Sequence, residues 1–314
     1  MSHAEPIAWL NGNVIPFRDA CLPVFDLGIV QGATITERLR TFRHTPYLVE
    51  QHLQRLQSSA FKILLTSPLL DELDQAIDQV ARHNCSLIDE RHDLSIVIFA
   101  TAGQAIGDTN GMLAESKPTV CVYSAPLPLA SYSSAYHAGV PLLTPTIRQI
   151  AASCIDPEIK MRSRLHWYLA DQQVRQRNPK AQAILLNDNG ELTETSSGNL
   201  FLVRDGQLLT TKRGATLAGI SQQFVLQLAQ ENAISIERRT LLPDDLLRAD
   251  EAFLTSSTYC IVPVASYEST ALPSVPGPLT TQLQRMWFEQ VGMDFVAQAK
   301  QAEQDQTLRS PQGS

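Results

Sequence analysis

The sequence is short of the features that tie a chain to nucleic acid, a membrane or an oxidising compartment. Its five cysteines (Cys21, Cys85, Cys121, Cys154 and Cys260) are scattered and include no CxxC pair. That excludes a disulfide framework and a cysteine-built zinc site, and no metal is expected. The 32 Asp and Glu outnumber the 25 Lys and Arg, so the net charge of −7 lacks the basic surplus that phosphate backbones select. No apolar run approaches the length of a membrane span. The opening MSHAEPIAWLNG has no basic segment ahead of an apolar core and does not read as a signal peptide. These absences predict a cytoplasmic globular protein with no nucleic-acid or membrane partner. Lysine is also scarce: Lys62, Lys117, Lys160, Lys180, Lys212 and Lys300 are the whole supply.

What is present fits two domains: 314 residues, 44% of them apolar, are long for one core and comfortable for two. Asn11-Gly12 stands between two short apolar stretches, as a type I′ hairpin requires. In ATITERLRTF, Thr34, Thr36, Arg38 and Arg40 share one parity, and Ile35, Glu37, Leu39 and Thr41 the other. A strand there carries two arginines on one face, either a solvent-facing edge or a pocket wall. LVEQHLQRLQSSAFKIL and LLDELDQAIDQVARHN have helical spacing, while LSIVIFA and PTVCVYSA read as strands. Residues 125–139, rich in proline, serine and small side chains, read as a linker between an N-terminal domain (1–124) and a larger one (140–299). The larger one mixes strands with the helices ISQQFVLQLAQENA and LTTQLQRMWFEQVGMDFVAQA. Residues 300–314 read as a disordered polar tail.

Four places could carry chemistry. A Schiff-base lysine needs a dry, walled position that favours the neutral amine; Lys160 follows Ile155 and Ile159, reads as opening a helix, and precedes Leu165, Trp167, Tyr168 and Leu169. Glu194 sits before Thr195-Ser196-Ser197-Gly198, where a turn or cap carboxylate is the plain alternative. Gly219-Ile220-Ser221 opens a helix whose first N–H groups can hold an anion. Ser256-Ser257-Thr258 interrupts an apolar strand with hydroxyls. By themselves these residues describe a two-domain α/β protein with anion sites.

Taken in order, the same segments resemble the fold-type IV pyridoxal-phosphate enzymes. This is the class-IV aminotransferase group of branched-chain aminotransferases, D-amino-acid aminotransferases and aminodeoxychorismate lyases. HLQRL (52–56) with Ser59-Ala60 is similar to the family's HxxRLxxSA helix, which implies that Arg55 binds the cofactor phosphate. Lys160, followed by ELTETSSGNLF, resembles the aldimine lysine and the segment whose glutamate, here Glu194, faces the pyridine nitrogen. LAGIS (217–221) resembles the LxGIT/S turn. By that likeness Leu217 packs on the ring, and Gly219 with the Ile220 and Ser221 amides holds the phosphate. FLTSSTYCIVPV resembles FxTGTAxxVxPV and places Ser257 at a phosphate-binding hydroxyl. The likeness spans nearly all of residues 5–265.

The resemblance implies an α/β (α+β) fold with a small N-terminal α/β domain and a larger C-terminal domain built on a mainly antiparallel, barrel-like sheet. It further implies pyridoxal 5′-phosphate at the domain interface and a homodimer. ATITERLR is similar to the segment that lines the substrate pocket, which makes Thr36, Arg38 and Arg40 candidate substrate residues, the arginines for a carboxylate. Thr36 replaces an aromatic there, and Gln222 an arginine often seen after GIT. Leu165 stands where branched-chain enzymes carry tyrosine. KMRSRL resembles the lyase's KxLNRL, with Arg164 matched and Ser163 in place of asparagine, and TAGQAIGD lacks an arginine-histidine carboxylate trap. The expectation is an aminotransferase acting on an amino acid and a 2-oxo acid through a Lys160 Schiff base. A 4-amino-4-deoxychorismate lyase releasing pyruvate is the alternative, and an amine transaminase the third reading.

Overall fold

A computed structural model describes residues 5–104 and 117–309; of TAGQAIGD, only Thr101 to Gln104 lie among them. The chain divides into two compact units, Met1–Leu127 with Ile159–Arg164, and Pro128–Glu158 with Leu165–Ser314.

The first unit holds β1 (Ile7–Leu10), β2 (Asn13–Pro16), α1 (Leu27–Val30), β3 (Thr34–Phe42), β4 (Thr45–Pro46), α2 (Val49–Lys62), α3 (Leu73–Cys85), β5 (Leu94–Thr101) and β6 (Thr119–Pro126). Its sheet runs β2-β1-β6-β5-β3-β4, and every neighbouring pair is antiparallel. Asn11 and Gly12 take φ of 50° and 85° between Leu10 and Asn13, the tight turn their sequence asks for. Ile35, Leu39, Ile96, Ile98, Val120 and Val122 form a core with Leu56 and Ala60 of α2 and Ile77 and Val80 of α3. One face of the sheet is therefore the packed face. By strand alternation Thr36 and Arg38 stand on the other.

The second unit contains α4 (Leu129–Ala138), β7 (Val140–Leu143), α5 (Leu165–Arg177), β8 (Gln182–Leu186), β9 (Leu192–Thr195), β10 (Asn199–Arg204), β11 (Gln207–Thr211), α6 (Ile220–Glu231), β12 (Ile236–Arg239), α7 (Pro243–Leu247), β13 (Glu251–Ser256), β14 (Cys260–Tyr267), β15 (Thr270–Ala271), α8 (Pro278–Val291) and α9 (Phe295–Arg309). The sheet path β10-β13-β14-β7-β8-β9 returns to β10 and closes a six-stranded barrel. Its contacts are antiparallel except β14–β7 and β7–β8. β9 and β10 meet at one register pair, Asn199 opposite Glu194, beside the Thr195 N to Gly198 O bond at 3.0 Å.

Three expectations are corrected. The division between the units falls between Leu127 and Pro128, but residues 125–139 are structured and not a loose linker: β6 runs to Pro126 and α4 follows, burying Leu129, Ser133 and Tyr136. Leu129 and Tyr136, two turns apart, supply the apolar stripe that the small residues obscure. The tail is not disordered through Arg309, because α9 buries Phe295 and Ala299, and Ser133 Oγ donates to Glu303 Oε2 at 2.7 Å. The single closing helix is two, separated around Gly292, which takes a φ of 64° as the C-cap of α8.

Candidate active site

Lys160 does not open a helix; α5 starts at Leu165. Lys160 lies in an extended segment laid along the start of β3. Thr36 N donates to Lys160 O at 2.9 Å, Arg162 N donates to Thr34 O at 3.0 Å, and Met161 bridges Ile35. Lys160 N also donates to Ser59 Oγ of α2 at 3.2 Å. Strand and helix thus fix the lysine backbone, and its side chain is half-buried.

Beneath this segment is a charged cluster whose centre the sequence reading missed. Glu37 is fully buried and takes Arg55 in a forked pair, Nε to Oε1 at 2.7 Å and Nη2 to Oε2 at 2.8 Å. His52 Nδ1 lies 2.8 Å from Oε2. Burial by itself would raise the carboxyl's pKa, but the guanidinium and then His52 outweigh it and hold Glu37 well below the usual carboxylate range. Burial lowers the His52 pKa in turn, with Glu37 opposing. An ionised carboxylate can only accept, so the neutral imidazole carries its proton on Nδ1. The missed signal was parity. Glu37 alternates with Ile35 and Leu39, two core residues, and His52 and Arg55 stand three apart on the facing helix.

The arginines of β3 part company. Arg40 is 1% exposed, with Nη2 3.6 Å from the buried Asp93 carboxylate, Nε donating to Thr41 O at 3.0 Å and the guanidinium 4.1 Å over Phe42. Asp93 also accepts from Thr41 Oγ1 at 2.7 Å. This removes Arg40 from the substrate candidates, because its guanidinium is fully buried and enclosed by Asp93, Thr41 O and the Phe42 ring. Arg38 is exposed and forms no ion pair among the described residues. Thr36 is half-buried and its hydroxyl donates to Ile98 O at 2.7 Å, so it borders the face without offering a free donor.

In the second unit the structure gathers the other predicted residues at one end of the barrel. Glu194 Oε1 accepts from Leu217 N at 3.3 Å and Oε2 from Asn199 Nδ2 at 3.2 Å; the same amide donates to Leu217 O at 3.0 Å. Asn199 thus ties the carboxylate to the 217–221 turn, a role the sequence reading did not give it. Gly219 N-caps α6, and a side chain there would collide with Asn199 Oδ1. No side chain caps the helix, so the amides of Ile220 and Ser221 lead a twelve-residue helix with its positive end open. Ser257 lies in the turn after β13, half-buried, beside Thr258 and Tyr259. Tyr259 Oη is 3.1 Å from Ser197 Oγ in the loop after Glu194, which brings the two turns together. Burial pushes the Tyr259 phenol up, so it stays protonated.

Within the second unit, a carboxylate anchored by two N–H donors with an open helix N-terminus beside it suits a cationic heteroaromatic ring that carries a phosphate. Comparison with known proteins agrees. The family model described as amino-transferase class IV matches residues 34–267. The putative branched-chain-amino-acid aminotransferase of Methanocaldococcus jannaschii is 29% identical over 82% of this chain and 86% of its own length. The D-alanine aminotransferase of Bacillus licheniformis is 27% identical over 87% and 93%. Among solved structures, the branched-chain aminotransferase of Thermoproteus uzoniensis with norvaline superimposes with a TM-score of 0.81 at 24% identity, covering 91% of this chain and 95% of that one. The Thermobaculum terrenum enzyme in its PLP form gives 0.79 at 24% identity, covering 92% and 94%. The barrel and the antiparallel sheet are the fold these enzymes share.

Proposed function

The chain belongs to the class-IV aminotransferases, and from that premise we propose that it is a pyridoxal-phosphate-dependent enzyme moving an amino group between an amino acid and a 2-oxo acid. The observation that carries the reading is the Glu194 anchor, a carboxylate held by Leu217 N and Asn199 Nδ2 next to the uncapped start of α6.

Bound pyridoxal phosphate supplies an electron-accepting ring conjugated to the substrate's amino group. The chain's own residues do the rest. Glu194, oriented by Asn199 Nδ2 and Leu217 N, would keep the ring nitrogen protonated. The Ile220 and Ser221 amides, the Ser257 hydroxyl and Arg55 would hold the phosphate, with Leu217 lining the ring site and Gly219 leaving room at the turn. Glu37 holds Arg55 in a single orientation by its forked pair, and Lys160 Nζ takes the substrate's α-proton and returns it. Arg38, exposed on the unpacked face of β3, meets a substrate carboxylate. No helix among the described residues is long and apolar enough to cross a membrane, and all five cysteines are free, which supports a cytoplasmic enzyme. The family relation supports a homodimer, for which sedimentation at twice the chain mass is the check.

The test is the visible spectrum of the protein loaded with pyridoxal phosphate, titrated with L- and then D-amino acids. A band lost in Lys160→Ala and converted by amino acids of one hand is the expected result. A Lys160-dependent band that no amino acid changes rejects the transaminase in favour of the lyase. No band at all rejects the cofactor.

A further inference from the structure

Two connecting turns leave the same end of the barrel side by side. Glu194, Asn199 and Thr255 stand abreast on β9, β10 and β13. Just past that rung lie the 195–198 loop, which follows Glu194, and the 257–259 turn, which carries Ser257. The phenol of Tyr259 joins them. Its Oη is 3.1 Å from Ser197 Oγ, and the Ser256 hydroxyl acts on it from its own turn. Donor bookkeeping gives the bond a direction. Ser197 spends its one hydroxyl proton on Gln182 Oε1 at 2.9 Å. Towards the phenol it can therefore only accept, and the buried, protonated phenol donates.

Neither turn is free to drift. In the loop, Thr195 Oγ1 accepts from Ser197 N at 3.3 Å and from Gly198 N at 3.0 Å. A Cβ on Gly198 would collide with Tyr259 Oη and with Thr255 O, so the loop backbone lies directly against the phenol. In the turn, Tyr136 Oη donates to Tyr259 O at 2.7 Å, and the Tyr132 ring meets the Tyr259 ring edge-on at 6.1 Å. Cys260, directly after the turn, is buried at a φ of 60°. A residue other than glycine holds that left-handed backbone only where its surroundings impose it.

We propose that Tyr259 is a positioning residue for the ring site: its phenol clamps the loop that follows Glu194 to the turn that carries Ser257, and so holds the ring-nitrogen carboxylate and the phosphate hydroxyl in one fixed arrangement. The proposal rests on the roles proposed above for Glu194 and Ser257 and adds the part that keeps them together. Groups already held in place have less ordering left to do on binding, so the clamp acts on cofactor affinity more than on the fold.

The test is titration of the apoprotein with pyridoxal phosphate, followed through the visible band. Tyr259→Phe keeps the ring and the carbonyl that Tyr136 uses, and removes one hydroxyl. Its dissociation constant should rise about three- to tenfold, the worth of one hydrogen bond. The pH midpoint of the band should move upward as well. A less squarely held Glu194 leaves the ring nitrogen less cationic, and the ring then draws less charge from its link to Lys160. Ser197 is exposed, so Ser197→Ala removes the other end of the same bond without touching the core. It should match Tyr259→Phe, and the double variant should lose no more than either single one. Ser133→Ala, which deletes a bond to Glu303 outside both turns, should leave affinity and midpoint unchanged. An unchanged dissociation constant in Tyr259→Phe, losses that multiply in the double variant, or an equal loss in Ser133→Ala overturns the proposal. So does an affinity loss with an unmoved midpoint. Failure of the cofactor reading itself looks different, because the wild type then shows no band that Lys160→Ala removes.

Discussion

The two faces of the sheet in the first unit handle charge in opposite ways. On the packed face Glu37 is buried and closed off by Arg55 and His52, three polar groups that answer one another. On the other face Arg38 and Arg162 stand exposed, Arg162 against Phe99 and the Tyr123 hydroxyl, and neither has a carboxylate partner among the described residues. Residues one step apart on β3 thus belong to different chemistries. Arg40 sharpens the lesson. It shares the parity of Arg38, yet one pleat further on it is buried against Asp93 and has become a structural residue. Position along the strand, more than residue type, decides whether a cation is spent on the fold or kept for a ligand.

The harshest way to break the packed face is Glu37→Gln. Removing one partner of a buried pair leaves the other uncompensated, at a cost of about 3–5 kcal/mol. Denaturant unfolding should show that loss, and a change below about 1 kcal/mol would mean that the buried pair contributes little to stability. A milder probe is pH. The folded pKa of Glu37 is depressed from its ordinary 4.5 and that of His52 from 6.5. In both cases the unfolded chain takes up the proton first, so the stabilisation is complete above these ordinary values and is lost as pH falls. Stability of the wild type should therefore begin to decline below about pH 6.5 as unfolded His52 protonates, and steepen below about pH 4.5. The Glu37→Gln variant should lose the steeper part, and parallel curves for the two proteins would contradict the assignment. The smallest effect on folding belongs to the open face. Arg38→Ala should move stability by no more than about 0.5 kcal/mol. It should still raise the KM for carboxylate substrates about tenfold, or about 1.4 kcal/mol, and leave simple amines nearly untouched. Equal effects on both substrate classes would return Arg38 to the status of a solvent-facing residue.

Much of this was legible in the sequence, and the failures have physical causes. The Asn11-Gly12 turn, β3, α2, α3 and α6 stand where periodicity and turn chemistry put them, because each obeys a local rule. The stretch 125–139 was misread because composition is a poor guide when two well-spaced apolar residues suffice to seat a helix. Residues 300–309 of α9 were misread because they are polar themselves, while the anchors that seat the helix, Phe295 and Ala299, lie just before them. Around the site, the motif residues were visible as motifs, but their supports were not. Asn199 and Glu37 act through partners 18 residues away, Leu217 and Arg55, and no local pattern joins them. Arg162 drew no notice because its cradle is assembled from β5 and β6, which the sequence places far from it.

The barrel seam has a consequence for how the protein should respond to its cofactor. The gap between β9 and β10 is spanned by one register pair, Asn199 to Glu194, and the turn bonds between Thr195 and Gly198, so local opening there has few bonds to break. The same two side chains are the ones proposed to position the ring nitrogen. Loading the enzyme then works like fastening a clasp: amide hydrogens along β9 and β10 should exchange more slowly in the holoprotein than in the apoprotein, ahead of those in the sheet of the first unit. The gain in thermal stability should follow free cofactor concentration as mass action requires. The same rung that completes the fold is the one the ligand draws tight.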